Sequence, residues 1–394
     1  MKISVLGAGA IGSAIAWDLA RREEVSHVQI VDHKTSALAA VMRDVDSSKL
    51  RTARVDVRDE RRLAAALAGS ACVISSVHPS LHPKLARLAL RVGAHFCDLG
   101  GDDDTVQHVL DLDEEAAARS RWVVPNCGFA PGLVNILMMQ GIEQFETAEE
   151  VHVRAGSLPL VGEPPFFHRL GYSSDKLIED YTRRAPMIRN GQLEYVQPLT
   201  GLEEVTFGPP FNTLEAFYIA GKLSTLPYDL ADRVQELDYK TVRHPGHALS
   251  MRSVLALGFG EEKFIDVRTH LTYRDILARR LQEQLGGAYE DAVLLRIRIS
   301  GTSEGRSRTL IYELEERFCE GTSAIQRCSG YPTAAVATLL AAGRIPGGGA
   351  APPERIVPRE PFFEALTDRG LTINSRWEEG VPSGNGSSVA VHAE

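Results

Sequence analysis

Three glycines and one aspartate near the start of the chain have the types and spacing needed to hold a dinucleotide. Residues 2–12 read KISVLGAGAIG, so that Gly7, Gly9 and Gly12 follow an apolar run in the pattern G-x-G-x-x-G. Gly7 permits a tight turn, Gly9 lets a pyrophosphate approach the backbone, and Gly12 lets the next helix lie close to the strand. The amino terminus of that helix offers N–H groups and a partial positive charge to the phosphates. Asp32 follows Gly12 by about 20 residues, which completes the dinucleotide-binding pattern.

Asp32 also indicates which dinucleotide binds. It ends a second apolar run, 28–31, and its carboxylate can accept hydrogen bonds from both hydroxyls of the adenosine ribose. The same negative charge would repel a 2′-phosphate, so we predict NAD as the cofactor. His33 and Lys34 could contact a phosphate, and they leave NADP open as the alternative.

The elements that position these residues alternate between strand and helix through the first third of the chain. Strands are predicted at 3–6, 28–31, 54–57, 71–77, 95–99 and 122–125, with helices at 60–68, 83–92 and 106–118. Such alternation predicts a doubly wound parallel sheet, whose ligands bind at the carboxyl ends of the strands. The candidates for cofactor contact on the glycine turn and along this rim are Gly7, Gly9, Ala10, Ile11, Gly12, Asp32, His33, Asp56, Val57, Ser76, Val77, His78, Leu99 and Gly100.

The pattern changes near Gly128, after which strands are longer and helices fewer. Alternating segments such as 150–155, 236–242, 294–300 and 309–318 predict an α+β domain built on a mostly antiparallel sheet. An apolar helix predicted over 333–342 then returns the chain to the first domain, and a helix over 360–370 and an edge strand over 371–373 follow. The predicted fold is thus α/β, a Rossmann-type domain with a second α+β domain inserted before the last helices. The predicted boundaries are 1–127 plus 330–375 for the first domain, 128–329 for the second, and 378–394 for a disordered tail.

Composition excludes several classes of function. The 394 residues carry a net charge of −9, which disfavours a general nucleic-acid or membrane-surface partner. The five cysteines are scattered without a C-x-x-C pair, so neither a zinc site nor a disulfide framework is expected, and we predict no bound metal. A reducing cytoplasm fits this cysteine usage. The chain enters a strand at its first residues and has no apolar run of membrane-spanning length, so neither a signal peptide nor a membrane span is expected.

Several longer motifs lie along the chain beyond the glycine turn. The most specific is T-x-R-x-P-G-H, which lies within LDYKTVRHPGHA at 237–248. The other motifs are CDLGGDDD at 97–104, PNCGFAPGLVNIL at 125–137, GSLPLVGEPP at 156–165, DYTRRAPMIRNGQ at 180–192, FGPPFNTLEAF at 207–217, LSTLP at 223–227 and PPERIVP at 352–358. Together they cover nearly the whole chain. They resemble the saccharopine dehydrogenase-like family and, within it, the lysine 6-dehydrogenases.

This resemblance implies a plan and a reaction. Its members have an NAD(P)-binding Rossmann domain and an inserted second domain, hold the substrate in the cleft between them, and are usually dimers or larger. It implies oxidation of the side-chain amine of L-lysine by NAD, which gives 2-aminoadipate 6-semialdehyde and ammonia. The partners expected are therefore a small amino-acid substrate and further copies of the chain, as a homo-oligomer (dimer or tetramer).

Two departures keep alternatives open. Residues 127–132 read CGFAPG, whereas the corresponding motif in saccharopine reductases resembles CGLDPG, so Ala130 stands in place of an acidic residue. This difference favours the lysine enzymes. In the segment 218–223, the bulky Lys222 and Leu223 replace what in the lysine enzymes resembles a small polar loop. If that loop contacts the substrate, lysine as the substrate is in question. The alternatives are a saccharopine- or opine-type reductase that joins an amino acid to an aldehyde or keto acid, and a non-catalytic NAD-binding sensor.

Amine oxidation needs a group for the substrate carboxylate and a base, and five residues are candidates. Arg243 offers a bidentate fork to a carboxylate, or else caps carbonyl groups as a structural arginine, and Thr241 shares its strand face. His247 is a base with a pKa near neutrality, or a histidine bonded within its turn. Lys240 is a catalytic amine or a solvated lysine, and Asp102 binds a substrate ammonium or belongs to a solvated acidic run.

Overall fold

The first domain is a parallel sheet covered by helices. The protein is described by a computed structural model over residues 1–266, 268–287 and 289–379. The strands of this sheet are β1 (Lys2–Leu6), β2 (His27–Asp32), β3 (Leu50–Arg54), β4 (Cys72–Ser75), β5 (His95–Asp98), β6 (Trp122–Val124) and β17 (Gly349–Ala350). They lie in the order β17-β6-β5-β4-β1-β2-β3, all parallel. The change of direction beside β1 places the carboxyl ends of β1 and β4 at the position where such sheets bind ligands.

The helices of the first domain pack on both faces of this sheet. They are α1 (Ala10–Ala20), α2 (Thr35–Val45), α3 (Glu60–Leu67), α4 (His82–Arg91), α5 (Asp103–Leu110), α6 (Asp113–Ala118), α12 (Ala324–Ala341), α13 (Pro353–Ile356) and α14 (Arg359–Thr367). Two apolar clusters, one on each face of β1, fill the layers between sheet and helices: Ile3 and Val5 belong to one, Leu6 to the other. This alternation follows from the period of two along a strand.

The second domain is a mixed sheet that is mostly antiparallel. Its strands are β7 (Thr147–Pro159), β8 (Ala185–Arg189), β9 (Gln192–Val196), β10 (Glu203–Thr206), β11 (Thr213–Tyr218), β12 (Glu236–Arg243), β15 (Asp291–Ser303), β16 (Arg306–Arg317) and β18 (Asn374–Glu379), and a separate hairpin joins β13 (Phe264–Asp266) to β14 (Leu271–Thr272). Its helices are α7 (Leu133–Ile142), α8 (Ser174–Thr182), α9 (Leu226–Leu230), α10 (His247–Ala256) and α11 (Tyr273–Leu285). Strands β12 and β7 are parallel neighbours in the middle of the main path, so their ends lie side by side.

The predicted fold class is confirmed, with several local differences. Strand β3 is Leu50–Arg54 rather than 54–57, because Arg54 is where pairing with Asp32 of β2 ends. The helix predicted over 106–118 is two helices, α5 and α6, and α2 was not predicted. The apolar helix begins at Ala324 rather than at 333, because Ser323 and Gln326 form a reciprocal capping box there.

The end of the described chain lies in the second sheet. The edge strand expected over 371–373 does not form, and β18 pairs with β16 instead. Glu378 and Glu379, predicted as disordered, belong to that strand; residues 380–394 of the predicted tail lie outside the described residues. Within the ranges that the structure describes, no helix combines the length and apolarity needed to cross a bilayer.

Candidate active site

A cleft of about 850 Å³ separates the two sheets and is lined by both domains. The first domain contributes the glycine turn and the segments that follow β4 and β5. The second contributes the end of β12, part of β7 and helix α8. Residues predicted for the cofactor and residues predicted for the substrate therefore face one another across a single space.

The glycine turn has the close approaches that its spacing predicts. Gly7 has φ +99° and a Cβ there would come within 2.7 Å of the Ser76 carbonyl oxygen. A Cβ on Gly12 would meet the Gly7 carbonyl oxygen at 2.0 Å, so only glycine lets α1 start this close to β1. Gly9 caps α1 and has no atom within 4 Å of a built Cβ. The turn therefore leaves open space at the helix amino terminus, which fits a dinucleotide pyrophosphate.

Asp32 holds the turn through its two carboxylate oxygens. Its Oδ2 accepts the Ala8 N–H at 2.9 Å, and its Oδ1 accepts the Lys34 N–H at 2.8 Å and lies 3.2 Å from His33 Nδ1. Each carboxylate oxygen retains a further lone pair for a ribose hydroxyl. Asp32 thus has a structural task that is independent of which dinucleotide binds.

The predicted rim residues divide into two groups. Gly9, Ala10 and Ile11 line the cleft, and so do Ser76, Val77, His78, Leu99 and Gly100. The residues outside the lining are Gly7, Gly12, Asp32, His33, Asp56 and Val57. Asp56 lies 2.7 Å from Arg58 on the surface, and hydrogen bonds from Arg58 lower the pKa of that carboxyl. The predicted contacts of Asp32, His33, Asp56 and Val57 with the cofactor stay predictions.

Arg243 ends β12 at the second-domain wall of the cleft and is buried, with 3% exposure. One guanidinium nitrogen donates to the carbonyl oxygens of Val242 (2.8 Å) and Ser157 (3.3 Å), while Nε has no hydrogen-bond partner. Among the described residues, no carboxylate lies within 4.0 Å of this guanidinium. A buried cation without an acidic partner is costly, and its position in a cleft indicates an anionic ligand.

The strand period separates the other two candidates on β12. Thr241 lines the cleft on the same face as Arg243. Lys240 points to the opposite face, where its Nζ lies 2.5 Å from Glu203 and 4.9 Å from the centre of the Tyr218 ring. The prediction of a catalytic amine at Lys240 does not fit this geometry, because the sheet separates Lys240 from the cleft.

His247 is fully buried, and both of its ring nitrogens are occupied. Nδ1 lies 2.7 Å from the Phe166 carbonyl oxygen and Nε2 lies 2.8 Å from the Tyr181 hydroxyl. The carbonyl must accept, so Nδ1 carries the proton and Tyr181 donates to Nε2. Burial, together with the charge of Arg243, lowers the pKa of His247 to about 3. His247 is therefore placed to support the wall rather than to accept a proton from a substrate, which corrects the prediction of a base.

Asp102 lines the cleft but also caps a helix. Its Oδ1 accepts the Thr105 N–H at the start of α5 at 2.7 Å, and its Oδ2 lies 3.8 Å from Arg183. Partial burial opposes ionisation of Asp102, but the hydrogen bonds from Thr105 and the charge of Arg183 outweigh it and lower the pKa. Asp102 is thus an ionised carboxylate at the cleft, with one oxygen committed to the helix.

Two features of the cleft were missed by reasoning from the sequence. His168 lines it with both ring nitrogens unpartnered, although it belongs to no recognisable motif. Lys222 reaches into it from the loop after β11, with Nζ 2.6 Å from Oδ2 of the buried Asp180. Burial opposes ionisation of Asp180, but Lys222 and Lys176 together hold the pKa of that carboxyl below its usual value. The bulk of Lys222 was the only sequence signal for this pair.

These features define a two-domain NAD(P)-dependent oxidoreductase, with a Rossmann-type domain and a substrate domain on either side of one cleft. Comparison with known families identifies which one. Residues 3–124 match the family described as saccharopine dehydrogenase NADP binding domain, and residues 128–371 match the saccharopine dehydrogenase C-terminal domain. The chain belongs to the saccharopine dehydrogenase family.

Solved structures agree with this assignment at the level of fold. Saccharopine dehydrogenase (L-Glu forming) from Saccharomyces cerevisiae has a TM-score of 0.78 at 18% identity, covering 96% of this chain and 99% of that one. Homospermidine synthase from Legionella pneumophila, solved with NAD, has a TM-score of 0.70 at 11% identity, covering 99% and 94%. Identities this low concern the shared fold and do not identify a substrate.

Proposed function

We propose that the protein is an NAD-dependent dehydrogenase that oxidises the side-chain amine of L-lysine, or of a close diamino acid. The observation that carries this proposal is Arg243, a buried guanidinium on the cleft wall whose surroundings lack an acidic partner in the described residues. A substrate carboxylate would supply the missing charge in bidentate geometry. Membership of a family of amine-acting oxidoreductases supports the reaction class.

The two walls of the cleft would then hold opposite ends of one substrate. Arg243 and Thr241 bind the carboxylate, and the side chain extends toward the rim formed by Ser76 and His78 after β4. A bound nicotinamide dinucleotide supplies the hydride acceptor at this rim. Fixing both ends brings the amine-bearing carbon to a defined position, which lowers the entropic part of the barrier.

The reaction balances with water as the second reactant. The amine loses its ammonium proton, a hydride leaves the adjacent carbon, and the resulting iminium adds water before its C–N bond breaks. Amine, water and oxidised dinucleotide thus give aldehyde, ammonia, reduced dinucleotide and one proton. His78 is the histidine we propose to exchange protons here, because its Nδ1 is held at 2.9 Å by Ser80 Oγ and its ring is not buried.

NAD is proposed over NADP because Asp32 would place a carboxylate against a 2′-phosphate. The family description names NADP, so the cofactor must be measured directly. The predicted homo-oligomer and the predicted cytoplasmic location stay predictions.

The direct test is to incubate the protein with NAD or NADP and a series of amines, and to follow the absorbance of the reduced nicotinamide. We expect an increase with L-lysine and NAD, and a loss of at least about 100-fold in kcat/KM for Arg243→Lys, because a point charge cannot replace the guanidinium fork. Arg296→Lys is a matched control, since Arg296 pairs with Glu313 on the same sheet outside the cleft. Absence of turnover with lysine, ornithine and related amines would contradict the proposal.

The second candidate is a reductase that condenses an amino acid with an aldehyde or keto acid. The observation that favours it is Lys222, whose ammonium has Asp180 as its hydrogen-bond acceptor within the described residues and so retains donors for a second carboxylate. This candidate expects consumption of reduced dinucleotide only when both carbon substrates are present. Lys222→Met would then lose that activity by about tenfold or more while the protein still bound the dinucleotide.

A further inference from the structure

His168 is a buried histidine of the cleft to which the proposed reaction assigns no task. It is 4% exposed and lines the cleft, and neither ring nitrogen has a hydrogen-bond partner among the residues that the structure describes. Buried polar groups are nearly always paired, so an unpaired imidazole at a cleft indicates a ligand that supplies the missing bonds.

The surroundings explain why no protein group satisfies it. The ring of His168 packs edge-to-face on His247, with 4.9 Å between ring centres. His247 has already committed Nδ1 to Phe166 and Nε2 to Tyr181, so it has nothing to offer His168. Packing therefore fixes the plane of the His168 ring while its hydrogen-bonding capacity stays unused.

Burial also determines what His168 can offer. Burial and the nearby positive charge of Arg243 lower the pKa of His168 well below its usual value, so the imidazole is neutral at physiological pH. A neutral imidazole has one N–H donor and one acceptor nitrogen. Arg243 beside it presents donors only, including the unpartnered Nε.

We propose that His168 and Arg243 together recognise the zwitterionic head group of an α-amino acid. Arg243 binds the carboxylate, and the acceptor nitrogen of His168 binds the α-ammonium. His168 is then a specificity-determining residue, which selects an amino acid over a simple carboxylic acid or a simple amine. This rests on the proposed function for the position of the substrate in the cleft, but it does not depend on which bond is oxidised.

Binding of ligands without a side-chain amine separates the two proposals. L-Norleucine has the complete head group, hexanoate lacks the ammonium and pentylamine lacks the carboxylate. We expect calorimetric titration of the NAD-saturated protein to show norleucine binding at least about tenfold more tightly than either analogue, the effect of one hydrogen bond to a charged group. Equal binding of hexanoate and norleucine would overturn the role of His168, whatever the activity assay gives.

Variants locate this preference. His168→Phe should reduce the preference for norleucine over hexanoate to about twofold or less while hexanoate affinity is kept, and His168→Gln, which retains a donor and an acceptor, should restore part of it. Arg243→Gln should weaken the binding of norleucine and of hexanoate and leave the binding of pentylamine unchanged. Preservation of the norleucine preference in His168→Phe would contradict the assignment. Affinity for NAD, measured on each variant, reports whether the fold is intact.

Discussion

The Nε2 atom of His247 and the hydroxyl oxygen of Tyr181 lie 2.8 Å apart behind the wall of the cleft, with Nδ1 of the same ring on the Phe166 carbonyl. His247 begins α10, directly after the turn that follows β12, and Tyr181 belongs to α8. The imidazole therefore links the end of β12 to helix α8. Because this bridge requires the neutral ring, acidification should weaken the folded protein rather than switch a catalytic base.

The pH dependence of stability should therefore contain a contribution from His247. Its folded-state pKa of about 3 lies below the unfolded value, so the unfolded chain binds a proton first and stability falls as the pH drops below neutrality. From about pH 7.5 to about pH 5 this group should account for about 2 kcal/mol of lost unfolding free energy. His247→Gln can keep both hydrogen bonds without titrating, so the difference in unfolding free energy between wild type and variant should shrink by that amount on acidification. A constant difference across this range, measured by denaturant unfolding, would contradict the assignment.

Glu354 should make the folded protein less stable as the pH rises, which is opposite to the effect of His247. Burial raises the pKa of this carboxyl to about 7, and its Oε1 accepts weak hydrogen bonds from Asn135 and Thr225 at 3.4 Å each while Oε2 has no partner. The folded protein holds this proton longer than the unfolded chain, so stability falls as the pH rises between the two pKa values. Glu354→Gln should be more stable than wild type by roughly 3–4 kcal/mol at about pH 8, and by only about 1 kcal/mol at about pH 5. Thermal unfolding at both values checks this, and greater stability of wild type at the higher pH would refute it.

Asp32→Ala should weaken the binding of NAD more than the binding of NADP. The substitution removes the ribose acceptor and the charge that repels a 2′-phosphate, but it also frees the Ala8 N–H of the glycine turn. We expect an increase of about tenfold or more in the Kd of NAD and a smaller change for NADP. Asp44→Ala is the matched control, because Asp44 pairs with Arg43 on the exposed surface of α2 and should leave both affinities unchanged. Equal losses for the two dinucleotides would mean that Asp32 acts only through the turn.

Lys240 and Thr241 are adjacent on β12 but should respond differently to substitution. Lys240→Met removes the ion pair with Glu203 behind the sheet, so it should cost about 1–3 kcal/mol of unfolding free energy and leave kcat within about twofold. Thr241→Val changes a hydroxyl at the cleft, so it should raise KM with little change in stability. A large fall in kcat for Lys240→Met, with the protein folded, would restore Lys240 as a catalytic candidate.

Local patterns were sufficient for the half of the molecule that binds the cofactor. The glycine turn and Asp32 belong to one strand–helix–strand unit, so spacing along the chain determines spacing in the fold. The same holds for the alternation on β12, where a period of two separates Lys240 from Thr241 and Arg243. Strand boundaries were less accurate, as at β3, because pairing between strands decides where a strand ends. Asp56 and Val57 therefore lie in the loop after β3, where Asp56 pairs with Arg58.

The substrate side was decided by tertiary structure. His168, Lys222 and Arg243 come from separate segments, and no spacing along the chain reports that they line one cleft or that Lys222 pairs with the buried Asp180. Nor does sequence show that His247 has both nitrogens occupied, or that Arg243 lacks an acidic partner among the described residues. The class of fold and the dinucleotide turn could be predicted from the sequence, because they depend on periodicity and on neighbours in the chain. Burial and the pairing of charges depend on which distant segments meet, so the protonation states and the free hydrogen-bonding groups of the cleft were decided only by the folded structure.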